Sequence, residues 1–197
     1  MITSKIIENQ LFLSQEDTEL ETKDKIDSFL TEVQVRAFRI AMISIKDEDE
    51  SKDVVQDSMI SLATKYSDRP PDELAPIFYR ILFNRIKDWH RKTIVRKRIF
   101  SFIGFSASKA DPIESAESDN MNPMKLNESE EVSKIIQDSI DNLPSRQKQA
   151  FILRNFEGMS VKNVSKVMKC SEGSVKTHYF RAMQKLKIEL AEYEGNK

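Results

Sequence analysis

The sequence predicts an all-α protein with two small helical domains joined by a flexible linker. Only four glycines and six prolines occur in 197 residues, which is too few for the many tight turns of an antiparallel sheet protein. Apolar residues recur at three- and four-residue steps in both halves of the chain. This period is lost in the middle, where Ser, Asn, Asp, Gly and Pro accumulate. We therefore expect an N-terminal extension over 1–18, a helical domain over 19–100, a linker over 101–127 and a second helical domain over 128–191.

Three amphipathic helices are predicted in the first domain. Apolar residues between positions 26 and 45 keep the helical period. The acidic cluster at 46–51 interrupts it and supplies negative charge to the start of a second helix, which Pro70-Pro71 is expected to end. A third helix from about Asp72, with Pro76 in its first turn, places Phe78, Leu82, Ile86 and Trp89 on its apolar face.

The second domain contains a predicted helix-turn-helix between Ser160 and Lys187. Two helices precede it, the later one opened by Pro144, and Gly158 suits a left-handed helix terminus before the motif. A short helix with Val161, Val164 and Met168 inward is followed by a tight turn, after which Ser171 suits the N-cap of a longer helix.

The longer helix has two chemically different faces. Its inward positions, spaced four, three and four, are Val175, Tyr179, Ala182 and Leu186. Its opposite face carries Lys176, Thr177, Phe180, Arg181 and Gln184, with His178 at the flank. Arg and Lys hydrogen-bond guanine edges or phosphates, and Thr suits a phosphate or a thymine methyl. The pattern favours a DNA-reading helix over the alternative, a solvated face with scattered bases.

Charge along the chain falls into three blocks that the formal net charge of −1 conceals. Residues 80–100 carry eight bases and one acid, residues 111–131 seven acids and one base, and residues 142–187 ten bases and two acids. Two basic blocks separated by an acidic one are typical of a nucleic-acid-binding protein.

Several classes of protein are disfavoured by the sequence. The single cysteine, Cys170, cannot form an intramolecular disulfide and has no zinc-site spacing around it. Residues 1–17 lack the apolar core of a signal peptide, and no run approaches the roughly 18 apolar residues of a membrane helix. We expect a cytoplasmic protein without membrane insertion, metal or cofactor. His90 and His178 lie in different domains and no phosphate loop is present, so no catalytic residue is predicted.

Five segments resemble the extracytoplasmic-function (ECF) sigma factors of the sigma-70 family. They are Asp-Val-Val-Gln-Asp at 53–57, Tyr-Arg-Ile-Leu-Phe-Asn at 79–84, Leu143-Pro144, Gly-Met-Ser-Val at 158–161, and Gly-Ser-Val-Lys-Thr at 173–177. They follow in order with fitting spacing over about residues 20–190. The resemblance implies a non-enzymatic subunit for promoter-specific transcription initiation. Its partners would be the β′ and β subunits of core RNA polymerase, promoter DNA and an anti-sigma factor. The two helical domains would be regions two and four.

The resemblance assigns roles to residues of the first domain. The segment Asp53, Val54, Val55, Gln56 and Asp57 would dock on the clamp coiled coil of the β′ subunit, although by itself it is only a helix start. Asn84 would read a −10 base extruded from the non-template strand, since an amide both donates and accepts hydrogen bonds; the alternative is a solvent-facing residue.

Basic residues around Asn84 would attract the phosphates near the melted bases. They are Arg80, Arg85, Lys87, Arg91 and Lys92. Trp89 could offer a stacking surface, but its phase favours the core. A tryptophan common in the family is replaced by Ile77, which questions any melting mechanism that needs that aromatic ring, while Asp57 replaces a common glutamate and keeps its charge.

In the second domain, six positions would approach the −35 element: Ser174, Lys176, Thr177, His178, Phe180 and Arg181. The interval between Phe100 and Glu128 has no room for a region-three domain, so we expect the acidic linker to thread through the polymerase near its RNA exit path. The alternative function is a helix-turn-helix regulator that acts without replacing the polymerase sigma subunit. In that protein residues 20–100 would sense a signal or dimerise.

Overall fold

The computed structural model describes residues 2–102 and 128–195, and side chains over 24–96 and 134–191. Across the described residues the chain forms seven α-helices and no strand, as the sequence predicts. The helices are α1 (Ile2–Ile45), α2 (Glu48–Lys65), α3 (Pro71–Phe102), α4 (Glu128–Asp141), α5 (Ser145–Asn155), α6 (Val161–Met168) and α7 (Glu172–Gly195). No helix within the described ranges combines the length and the apolar character needed to span a bilayer.

Helices α1, α2 and α3 pack together as a first unit. Their buried faces carry the predicted apolar residues, among them Val33, Leu62 and Phe78, and the rings of Phe29 and Phe78 meet edge to face at 5.9 Å. The acidic cluster starts α2 as predicted: the Asp47 carboxylate accepts the backbone N–H of Glu50 at 2.9 Å. Three acids occupy the first turn of α2, where the helix dipole favours them.

The role predicted for Pro70-Pro71 is wrong. Helix α2 ends earlier, at Lys65, and Tyr66 forms its C-cap. Pro71 is the first residue of α3, where a missing N–H has no intrahelical partner to lose. Pro76 therefore lies in the second turn of α3 rather than the first, and it is buried.

Helices α4 to α7 form a second unit, in which α7 packs on α4, α5 and α6. Its core contains Ile152, Val164 and Val175, each fully buried. Gly158 takes the predicted left-handed conformation, with φ +61, and Ser160 caps α6 by accepting the Asn163 N–H at 3.2 Å. The turn chemistry of the sequence thus fixes where α5 ends and α6 begins.

Two helices cross the boundaries predicted for the first domain. Helix α3 continues to Phe102, two residues beyond the predicted end of the first domain, and α1 already begins at Ile2, inside the predicted extension. The rest of the predicted acidic linker, 103–127, lies outside the described residues. The two units also touch each other, because α3 packs on α6 and α1 contacts α4.

Candidate nucleic-acid interface

Helices α6 and α7 form the predicted helix-turn-helix. The turn between them contains Lys169 in the left-handed conformation, with φ 51. Helix α7 is capped as expected, since Ser171 Oγ accepts the backbone N–H of Ser174 at 3.1 Å. Such a cap fixes the first turn of the helix, the part that a DNA-reading helix presents to base edges.

The two faces of α7 are arranged as the spacing predicts. Val175, Ala182 and Leu186 are buried and Tyr179 is half-buried. The opposite face is exposed along its length and carries Lys176, Thr177, Phe180, Arg181 and Gln184. Ser174 and His178 flank it and are half-buried. Phe180 is 61% exposed, so this helix presents a large apolar ring between two cations.

Three contacts orient α7 on the rest of the second unit. The Tyr179 hydroxyl donates to the side-chain oxygen of Asn155 at 3.0 Å, and the Arg154 guanidinium lies 5.9 Å from the centre of the Tyr179 ring. Lys185 donates to the backbone carbonyl of Asn142 at 2.8 Å. These contacts could not be predicted from the sequence, because the partners are 24 to 43 residues apart and no local pattern joins them.

The residues predicted to surround the −10 bases lie on three faces of α3. Asn84, Lys87 and Arg91 line one cleft of about 590 Å³. Arg85 and Lys92 line a groove of about 790 Å³ between α2 and α3, to which Arg91 also contributes. Arg80 lines a third depression, beside Lys166 of α6. The structure therefore brings only part of the predicted set onto the same face as Asn84.

The cleft beside Asn84, here called the inter-unit cleft, has one wall from each unit. Helix α3 supplies Asn84 and its neighbours, and the second unit supplies the facing wall. Six basic residues line it: Lys87, His90, Arg91, Arg146, Lys148 and Lys169. None of its described lining residues is acidic. Burial, reinforced by the charge of Lys148, lowers the pKa of His90, so a neutral imidazole is favoured there.

The segment predicted to bind polymerase lies on the outer side of α2. Asp53, Gln56 and Asp57 are exposed and Val54 is half-buried. Val55 is only 6% exposed, so it packs in the core and supports the helix rather than forming part of a surface. The Asp57 carboxylate accepts a hydrogen bond from Arg85 at 2.7 Å, which joins this segment to α3.

Trp89 packs against the core with its polar edge satisfied. The ring is half-buried, and its indole N–H donates to Glu50 Oε2 at 2.8 Å. A ring held in this way supports the core interpretation over a free stacking surface. Ile77, at the position of the family's common tryptophan, is buried.

Two polar contacts between the units have no signal in the sequence. In the Glu157 contact, the carboxylate of Glu157 accepts from the Tyr79 hydroxyl and pairs with Arg36 Nε at 3.3 Å. In the Asp141 contact, Lys46 Nζ lies 2.8 Å from Asp141 Oδ2.

Both contacts shift the titration of a first-unit residue. Burial, together with the neighbouring Glu157 carboxylate, raises the pKa of Tyr79 well above 10.0. The hydrogen bond and charge of Asp141 raise the pKa of Lys46.

No metal-binding constellation was found among the described side chains, since no three of their His, Cys, Asp and Glu residues cluster suitably. Cys170 is a free, half-exposed thiol in the turn of the helix-turn-helix.

Comparison with known proteins identifies the family. Residues 133–186 match the family model described as "Sigma-70, region 4". The chain is 25% identical over 174 residues to the RNA polymerase sigma factor SigV of Bacillus subtilis, covering 86% of this chain and 93% of that protein. It is 30% identical over 135 residues to the ECF RNA polymerase sigma-E factor of Salmonella typhimurium, covering 67% of this chain and 69% of that protein. The chain belongs to the ECF RNA polymerase sigma factors.

Solved structures agree on the fold of this sigma factor. The sigma factor RpoE of Bartonella quintana, in complex with the anti-sigma factor NepR, superposes with a TM-score of 0.62 at 18% identity, over 84% of this chain and 96% of that one. CnrH, in complex with the cytosolic domain of CnrY, gives 0.60 at 16% identity, over 88% and 94%. At these identities the likeness concerns the arrangement of helices.

Proposed function

We propose that this sigma factor binds core RNA polymerase and directs it to promoters by contacting the −10 element through its first unit and the −35 element through its second. One observation carries the proposal: the capped helix α7 exposes Lys176, Thr177 and Arg181 on a single face while its other face is buried. Such a face fits the major groove, where Arg and Lys pair with guanine edges and phosphates.

The −10 contact is assigned to Asn84 and to the basic side chains on the same face of α3. Asn84 is exposed, and its amide can both donate to and accept from the edge of an extruded base. Lys87 and Arg91, one and two turns further along the same face, supply positive charge for the phosphates of the melted strand. The neighbouring faces of α3 carry Arg80, Arg85 and Lys92. Their role in this proposal is to attract the DNA phosphates, not to contact nucleobases.

Core polymerase is proposed to bind the exposed part of the segment at 53–57. Asp53, Gln56 and Asp57 offer acceptors along one side of α2, and Arg85 holds Asp57 in place. This surface suits the basic side of a partner helix. Val55 contributes by packing α2 onto the core.

The protein is proposed to act by binding alone, with no reaction of its own, and to work in the compartment that holds the polymerase. Its two units would occupy two promoter elements at once, so that two weak contacts act as one specific contact. An anti-sigma factor is a proposed partner, because the similar RpoE structure is a complex with the anti-sigma factor NepR. The 103–127 segment is proposed to link the units through the polymerase.

The decisive experiment is in vitro transcription with purified core polymerase on a genomic DNA library, followed by footprinting with and without core enzyme. We expect start sites that share −10 and −35 sequences and protection that requires core polymerase. Equal protection of a palindromic site by the free protein, together with no affinity for core enzyme, would instead support a helix-turn-helix regulator that acts alone.

A further inference from the structure

The inter-unit cleft has the size of a small-ligand site. Its volume is about 590 Å³, within the range of about 300–1,000 Å³ that is typical of pockets for small molecules. One wall is part of α3, and the facing wall is built from the start of α5 and the end of α6. The basic side chains of the α3 wall are exposed, so the cleft is open to solvent. A molecule bound there would contact both units.

This cleft concentrates positive charge. Five side chains that are cationic at neutral pH line it, two on α3 and three on the facing wall: Lys87, Arg91, Arg146, Lys148 and Lys169. None of the described lining residues is acidic. Like charges gathered around one cavity repel one another, so an anion that neutralises several of them would be favoured there.

Three of the five cations lack an ion pair among the described side chains. Lys148 Nζ lies 3.3 Å from Asp141 Oδ1, and Arg91 pairs with Asp88 at 3.2 Å; neither acid lines the cleft. The cations without such a pair are Lys87, Arg146 and Lys169. Their charge is available to a ligand.

Arg146 is well placed to hold a phosphate group. One of its guanidinium nitrogens donates to the backbone carbonyl of Met168 at 2.6 Å, which fixes the side chain on the second-unit wall. Its remaining N–H groups can form the paired hydrogen bonds that suit phosphate oxygens. Lys169 is the next residue after Met168 and is exposed. Helix α5 begins at Ser145 on the same wall, and its dipole adds to the positive potential.

The titration of His90 agrees with a positive potential in the cleft. Burial lowers the pKa of this imidazole, and the charge of Lys148 lowers it further. A site that disfavours one more positive charge favours a negative one.

We propose that the inter-unit cleft binds a small molecule that carries two or more linked phosphates, with Lys87, Arg146 and Lys169 as its main contacts. The five cations surround one cavity, whereas a nucleic-acid strand needs cations spread along its length, so a compact ligand fits better. The inference goes beyond the proposed function and does not rest on it, because Arg146 and Lys169 are not among the residues assigned to promoter contacts.

The test compares three substitutions in the full-length protein, each of which removes one positive charge. Arg146→Gln and Lys169→Gln change the cleft. Lys162→Gln is the control, at an exposed lysine of α6 that does not line the cleft. Isothermal titration calorimetry at one fixed ionic strength measures the binding of inorganic triphosphate, adenosine triphosphate and adenosine, and circular dichroism checks that every variant is folded.

Wild type should bind both triphosphates and should not bind adenosine. Arg146→Gln and Lys169→Gln should each weaken triphosphate binding about tenfold, as expected for the loss of a hydrogen bond to a charged group. Lys162→Gln should match the wild type. Equal affinity for the two triphosphates would identify the phosphates as the recognised part, and tighter binding of adenosine triphosphate would add the nucleoside.

Two results would reject this site. The first is no binding of either triphosphate by the wild type, or the same loss of affinity in Lys162→Gln as in the cleft variants. The second is a short single-stranded DNA of mixed sequence that binds more tightly than triphosphate and loses affinity in both cleft variants, which would make the cleft a nucleic-acid surface.

Discussion

Asn84 and Tyr79 lie close together on α3 but have opposite environments. Asn84 is exposed, so its chemistry is open to a ligand, whereas Tyr79 is 2% exposed and bonded to Glu157. Both belong to the segment at 79–84 that resembles the family. The segment that resembles the family therefore contains both a residue that is a candidate for contacting a nucleobase and a residue that packs in the core. Only the burial of each side chain distinguishes these two roles.

Replacing Asn84 with Ala is expected to remove base discrimination and to leave the fold intact. The side chain is exposed, so the free energy of unfolding should change by less than about 0.5 kcal/mol. Discrimination at one −10 position should fall by about 1–3 kcal/mol, measured by holoenzyme binding to promoter variants. Asn142→Ala, at another exposed asparagine, is the control. An unchanged base preference in Asn84→Ala would reject its assignment, provided that core binding is retained.

Replacing Tyr79 with Phe is expected to change how stability depends on alkaline pH. Burial raises the pKa of Tyr79 in the folded protein above its ordinary value of 10.0. Stability is then fully present below pH 10.0 and is lost as the pH rises above it, because the unfolded chain releases the phenolic proton first.

Urea unfolding at neutral and alkaline pH measures this effect. Wild type should lose more stability than Tyr79→Phe on passing above pH 10.0. Tyr66→Phe, at a half-buried tyrosine, is the control and should behave as wild type. Parallel losses in all three proteins would show that Tyr79 titrates normally.

Helix α7 illustrates how one element combines support with recognition. Ser171 fixes its start, and Tyr179 and Lys185 hold its flank. The contact described for its outer face is local, from the Thr177 hydroxyl to the Gly173 carbonyl. Side chains there can be changed at little cost to stability, which suits a surface whose sequence determines the promoter recognised.

Replacing Arg181 with Ala tests the outer face of α7. If the guanidinium pairs with a base, affinity for one −35 sequence should fall by about 1–3 kcal/mol and preference at that position should relax. A phosphate contact would instead weaken all sequences alike and reduce the salt dependence of binding. Holoenzyme binding to −35 variants at two salt concentrations distinguishes these results. Lys134→Ala, at an exposed lysine on α4, is the control and should leave the affinity and its salt dependence unchanged. If Arg181→Ala also leaves both unchanged, this face of α7 does not touch DNA.

At the scale of the whole molecule, His90 is suited to sense acid because it lies between the two units. His90 lies in the inter-unit cleft, where burial and Lys148 lower its pKa. It faces Lys148 and Arg146 of α5, Lys169 beyond α6, Lys87 and Arg91 of α3, and the backbone of Ser44. A lowered pKa means that stability is present above the ordinary value of 6.5 and is lost as the pH falls below it. The other five basic residues that line the cleft are Lys or Arg, so protonation of His90 would add a sixth positive charge there.

Acidification from about pH 7.5 to about pH 5.5 is therefore expected to weaken the packing between the two units. Scattering should report an increase in the radius of gyration, and His90→Asn should reduce that increase. His178→Asn, which changes the other histidine, outside the cleft, should respond as wild type does. Identical expansion in all three proteins would assign the response to other groups.

Much of the local structure was predictable because it depends on near neighbours in sequence. Asp47 and Ser171 act as helix caps over three residues, Gly158 supplies a left-handed turn, and the spacing of Val175 and Ala182 gives the buried face of α7. The prediction for Pro70-Pro71 failed because a proline pair is compatible with both the end of one helix and the start of the next.

The sequence by itself determined the helices, their caps, the outward face of α7 and the family. Only the tertiary structure decided that the basic residues predicted to surround the −10 element lie on three faces of α3, and that Glu157 meets Tyr79 and Arg36. Helical period and capping act within a few residues, so they can be recognised in one segment. A contact between residues 78 positions apart depends on how two packed units meet, which no segment encodes alone.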